Sequence, residues 1–130
     1  MIPNYTQFAT KRVMQTLELA VTELVGLRQN LLTPDFVLLA LLSQPDAEPV
    51  RILEHLLSNP AEAMSQIREA ILNQHKTPAP SRGSQVMASQ ELNELFQVAY
   101  EEARQLGDGY ISTGTLFIAL FNPKTGHSAC

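Results

Sequence analysis

Two segments of this sequence are too apolar to face water on any side. In "LLTPDFVLLALL" (residues 31–42), Thr33-Pro34-Asp35 forms a helix-start signal ahead of seven consecutive apolar residues. Thr33 can cap, Pro34 fits the first helical position and Asp35 suits the positive helix end. "YISTGTLFIALF" (residues 110–121) repeats the design, with Ser112 as its cap. A helix that is apolar nearly all round belongs at the centre of a fold. The rest of the chain must therefore supply amphipathic surface to hide both.

It does so in a regular way. Between Thr10 and Leu27 the apolar residues fall at Val13, Leu17, Ala20, Leu24 and Leu27, in steps of four and three. That spacing marks one face of a helix. Ser89 starts a matching helix with Leu92, Phe96, Ala99, Ala103 and Leu106 in the same steps, closed by "GDG" at 107–109. Pro49 can open a helix with Val50, Leu53, Leu56 and Leu57 turned inward. Asn59-Pro60 opens another, to about Gln74, with Met64, Ile67 and Ile71 on one face. The stretch "HKTPAPSRGSQ" (75–85) reads as a linker. No segment alternates as a strand would, so the fold class is all-α.

A shift of 79 residues lays the sequence on itself without a gap from Thr10 to Leu42. Thr10 meets Ser89, Leu17 meets Phe96, Ala20 meets Ala99, Thr33 meets Ser112 and Ala40 meets Ala119. Internal repeats report an architecture in which the units pack on each other. The expectation is a single domain over 1–130, a pseudo-twofold bundle of two four-helix repeats. Repeat one covers about 8–74, a linker 75–87, and a second repeat, truncated to two helices, 88–130. A complete second copy would need about thirty further residues, by analogy with 49–74. Without them, the face of Leu116, Phe117 and Leu120 should lose part of its cover.

Composition narrows the partners. The 130 residues carry 9 basic against 13 acidic side chains, a net charge of −4, and form no Lys/Arg cluster suited to phosphates. Cys130 is the only cysteine, so no internal disulfide or Cys-based zinc site is available. The N-terminus lacks the pattern of a signal peptide, and the longest apolar run is far too short to span a bilayer. The expected location is cytoplasmic, with neither nucleic acid nor membrane as partner.

The wording "SQELNELFQVAYEEARQLGDGYIS" and "LLTPDFVLLALL", in the form cap, long helix, Gly-rich joint and buried helix given twice, resembles a known family. It is similar to the N-terminal domain of Clp AAA+ unfoldases, the ClpA, ClpB and ClpC group, with the wording nearest the ClpB-type disaggregases. The resemblance runs from Phe8 to about Phe121. It implies a mobile eight-helix module, tethered to ATPase rings, that binds unfolded or misfolded protein segments or adaptor proteins and has no catalysis of its own. ATP and magnesium would serve a hexameric AAA+ ring downstream; no G-x-x-x-x-G-K-[ST] stretch lies within this sequence. Two alternatives stand beside that reading. One is a stand-alone accessory or scaffold protein of a Clp protease. The other is a partner-specific N-domain of a secretion-system relative of ClpB.

The residues show no enzyme chemistry. His55, His75 and His127 lack metal-ligand spacing. Glu101 and Glu102 diverge around a helix and read as a solvated face. Four candidate binding residues come from the resemblance. In ClpB-like domains a patch that handles substrate includes a Thr at the first helix start, an Asp after the Gly of the second joint, and a Glu at the sixth helix start. The matching positions are Thr10, Asp108 and Gly114, the last having lost the carboxylate. ClpC-like domains hold phosphorylated arginine with acids at helix starts. Asp35 matches the first of these and Gly114 stands at the second, so a two-site receptor is not expected. Thr10 also reads as a plain N-cap and Asp108 as a turn former.

Overall fold

The computed structural model describes residues 5–75 and 86–122. Six α-helices carry the described fold: α1 (Lys11–Gly26), α2 (Pro34–Leu42), α3 (Glu48–Leu56), α4 (Pro60–Gln74), α5 (Gln90–Gln105) and α6 (Thr113–Ala119). The starts follow from local chemistry. Thr10, Asn59, Ser89 and Ser112 each accept a hydrogen bond from the backbone N–H three residues on. Ser112 and Thr115 complete a reciprocal capping box. Thr33 departs from expectation. Its side chain makes no cap bond, and its Oγ1 is buried with no partner among the described residues. Pro34 at the first position and Asp35 in the first turn start α2 without it.

The helices α2 and α6 form the centre, with α1 laid along α2 and α5 along α6. Phe36, Val37, Leu39, Ala40 and Leu41 of α2 are fully buried, as are Leu116 and Ala119 of α6 and Leu120 just after it. The inward faces of α1 and α5 meet them through Val13, Ala20, Leu24, Leu92, Phe96 and Ala99. Each small Ala lets helix axes approach closely, as ridge-and-groove packing requires.

Two short strands, β1 (Leu31–Leu32) and β2 (Met87–Ala88), pair in parallel, Leu31 with Met87 and Leu32 with Ala88. A separate parallel bridge joins Ala9 to Ile111. Segments of two residues are too short to show alternation in sequence, and β2 falls on the expected boundary between linker (75–87) and second repeat (88–130). The bridges also express the duplication. Shifted by one repeat, Leu32 becomes Ile111 and Ala88 becomes Ala9, so each half lends one side of both bridges. Ser89 N–H donates to Leu32 at 2.9 Å, and Thr10 N–H donates to Ile111 at 2.9 Å. The helix ends match as well. Gln29 N–H returns to Leu24 at 3.0 Å and Asp108 N–H to Ala103 at 2.8 Å, each after a left-handed residue, Arg28 (φ 59°) or Gly107 (φ 84°).

Other expectations are corrected by packing. Leu56 is 74% exposed and Leu57 37%. The helix α3 buries Pro49 and Val50 in its first turn and packs Leu53 partly against the core, while Leu56 at its end faces solvent. Leu106 is 66% exposed, because it caps α5 and has left the inward face. Leu116, Phe117 and Leu120, expected to lose cover, are buried. On α6 the outward apolar residue is Ile118, with Phe121 just beyond the helix. Residues 76–85 of the expected linker and 123–130 of the second repeat lie outside the described residues.

Candidate functional site

Three of the four sequence candidates gather at the joint that leads into α6. Thr10 is committed twice: its Oγ1 accepts from Val13 N–H at 3.3 Å, and its own N–H donates to Ile111. Asp108, three residues before Ile111, is exposed, and its N–H closes the end of α5. Gly114 lies in the first turn of α6, just past the Ser112 cap. A turn, a cap and a bridge therefore bring Thr10, Asp108 and Gly114 into one neighbourhood.

Gly114 is not an empty position. A Cβ built there would meet the Glu48 carboxylate, with Oε1 at 2.6 Å and Oε2 at 2.8 Å. Glu48 opens α3, which packs against α6. A carboxylate of the first repeat thus stands at the start of α6. No sequence pattern singles out Glu48. Its one local signal, an acid next to Pro49 at a helix start, says nothing about reaching α6.

Asp35 stands apart, at the first turn of α2. There the Nε2 of His75, the residue that ends α4, lies 3.6 Å from Asp35 Oδ2. The His75 ring also packs against Phe36 at 4.6 Å between centroids. This ties the end of α4 to the start of α2 and places Asp35 on the wall of a groove.

The groove has a volume of about 500 Å³. Its floor is apolar: Leu38 and Leu42 from α2, Ile67 and Ile71 from α4, Phe117 and Phe121 beside them. Asp35 and Gln74 give it a polar end. Phe117 and Phe121 meet edge to face at 5.2 Å, which sets the rim at the α6 side. Such a surface suits the capture of a few apolar side chains, with polar groups fixing direction. Among the described residues no group of three or more His, Cys, Asp or Glu could hold a metal, and no helix is long and apolar enough to cross a membrane.

Comparison with known proteins agrees with this architecture. A curated relative, the chaperone protein ClpB of Bdellovibrio bacteriovorus, is 36% identical over 88 residues, which is 67% of this chain and 10% of the relative. The chain thus spans about a tenth of that chaperone's length. Among solved structures, the N-terminal domain (1–163) of the ClpV1 ATPase from the E. coli EAEC Sci1 T6SS superposes with a TM-score of 0.79. It is 23% identical and covers 93% of this chain and 72% of its own. Another, described as a peptide from the EAEC T6SS Sci1 SciI protein, has the same TM-score and identity and covers 93% and 75%. These structural likenesses speak to the fold. The family described as the Clp repeat (R) N-terminal domain matches residues 9–129. A duplicated cap, helix, joint and buried helix, its halves joined by two parallel bridges and matched by the family over residues 9–129, makes this chain a member of the Clp repeat N-terminal domain family.

Proposed function

We propose that this domain captures exposed apolar segments of unfolded client proteins, or of adaptors that carry them, and presents them to a AAA+ ring in the same polypeptide. The observation that carries the reading is the groove of Leu38, Leu42, Ile67, Ile71, Phe117 and Phe121 with its polar end at Asp35. Partly covered apolar surface with a directional end is what a segment laid in a groove requires. In the whole protein, ATP and magnesium would act at the ring, and this domain would contribute binding alone. A tethered receptor needs only weak affinity, because tethering raises the local concentration of whatever it holds.

A titration of the isotope-labelled chain with an unfolded client tests this by nuclear magnetic resonance. Shifts should cluster on α2, α4 and the Phe117–Phe121 rim, and Phe121→Ala should weaken binding. Phe121 is 40% exposed, so its loss should leave the core intact. Saturable binding with no response in the groove would overturn the reading. A partner-specific role is the second reading, favoured by the likeness of the fold to the ClpV1 domain. It predicts that one defined helix binds much more tightly than unfolded clients in general.

A further inference from the structure

The two joints, equivalent by repeat, are finished differently at the surface. At the second joint Phe8 is covered: its ring stacks on Tyr100 at 4.3 Å, and Tyr5 stacks on the same Tyr100 at 5.5 Å. The position equivalent to Phe8 in the first joint is Met87, and Met87 is 52% exposed. Leu31, its partner in the parallel pair, is 48% exposed. Their neighbours Leu32 and Ala88 turn toward the core, so the pleat sends Leu31 and Met87 outward side by side. Two large apolar side chains thus stand together in water at the edge of a two-stranded sheet.

A cation lies three residues before Leu31 in the chain. Met87 N–H donates to Asn30 at 2.9 Å, and Arg28 lies two residues before Asn30. Arg28 is exposed and makes no ion pair among the described residues. Its backbone is held by the bond from its N–H to Val25 at 3.0 Å, in a left-handed conformation at φ 59°. The second repeat places Gly107 there, the residue that meets this conformation at least cost. An exposed arginine with no ion pair among the described residues, three residues before Leu31, joins positive charge to apolar surface within one short segment.

We propose that Arg28, Leu31 and Met87 form a second docking surface, distinct from the groove, for an acidic extended segment of a partner protein. A partner carboxylate pairs with the Arg28 guanidinium, and a neighbouring apolar side chain covers Leu31 and Met87. Charge complementarity selects the acidic partner, and the width of the patch, one residue pair across, selects an extended chain. Its contribution should fade with salt, as exposed charge pairs do.

The test uses the full chain and a fluorescein-labelled peptide, Asp-Glu-Leu-Phe-Glu, with the Asn/Gln version as control. The acidic peptide should shift the amide signals of residues 28–31 and 86–88. Arg28→Glu should weaken it about tenfold, the size of effect expected for one charged contact. Arg28→Gly carries the more telling result. It should melt at a higher temperature than the parent, yet bind the acidic peptide about tenfold more weakly. Equal binding of the amide peptide, unchanged affinity in Arg28→Gly, or tighter binding of a single-stranded RNA of similar length would overturn the proposal. So would shifts confined to the groove of Asp35 and Phe117, and because groove binding is read at different residues, either site can fail alone.

Discussion

The carboxylate of Glu48 stands where the side chain of residue 114 would begin, within 2.8 Å of a Cβ built on Gly114. The obstacle is the far end of a flexible, exposed side chain. Gly114 lies inside a helix and has no left-handed φ, so alanine suits its backbone. Gly114→Ala should therefore push Glu48 into solvent and stabilise the fold by up to about 1 kcal/mol. The gain should be larger in a Glu48→Ala background, where nothing has to move. Melting temperatures of the two single variants and the double variant check this. A loss in both backgrounds would mean that backbone, and not the Glu48 carboxylate, limits the space.

Gly107 separates conformational cost from steric cost. No atom lies within 4 Å of a Cβ built there, but its φ of 84° is unfavourable to any other residue. Gly107→Ala should destabilise by about 1 kcal/mol through the backbone alone. Denaturant unfolding should show an unchanged slope with a lower midpoint, since the same surface is buried.

Ala40 and Ala119 are fully buried on the two central helices. Enlarging either to Leu should overpack the core and cost about 1–3 kcal/mol. Because the two are equivalent by repeat, the two losses should be similar. Unchanged melting for both would show that close helix approach at these positions is not what the alanines provide.

Much of this fold is legible in the sequence, for reasons that specific residues explain. Thr10, Pro34, Pro60, Ser89 and Ser112 act locally, so caps and first-turn prolines place helix starts without knowledge of the neighbours. The 79-residue register works because Val13 and Leu92, or Ala20 and Ala99, face equivalent surroundings. What fails is information held outside the segment. The spacing of Leu53, Leu56 and Leu57 defines a face, but not where the helix beneath it ends. Thr33 and Ser112 align, yet Ser112 finds its capping box while the Thr33 hydroxyl is buried without a partner. The approach of Glu48 to Gly114 and of His75 to Asp35 joins residues far apart in the chain. No local pattern encodes those meetings. The neighbourhood of Thr10, Asp108 and Gly114 was suggested by family resemblance, and the bridge between Ala9 and Ile111 is what draws them together.

A charged network pins α1 to the turn after α2. Arg12 donates through Nη1 to Gln44 at 3.0 Å and through Nη2 to Asp46 at 2.8 Å. Buried Gln44 in turn donates to Thr16 at 2.9 Å and to the Ala40 carbonyl at 3.1 Å. The hydrogen bond from Arg12 holds the Asp46 carboxyl below its ordinary range, helped by backbone donation and by the Arg12 charge. A depressed carboxylate contributes stability above its unfolded pKa and loses it as pH falls through the folded value, so this contribution should fade below about pH 4. The pair is exposed, so the pH effect should be small. The Gln44 amide is a different matter, because Arg12→Ala takes this donor from its part-buried oxygen and loosens a side chain whose other bonds are buried. Arg12→Ala should cost about 1–3 kcal/mol at neutral pH, whereas Asp46→Asn should cost much less. Carbon-detected titration of Asp46 should show its midpoint moving up in Arg12→Ala. If Asp46→Asn proves as harmful as Arg12→Ala, the exposed ion pair, and not the buried amide, is what fastens α1 here.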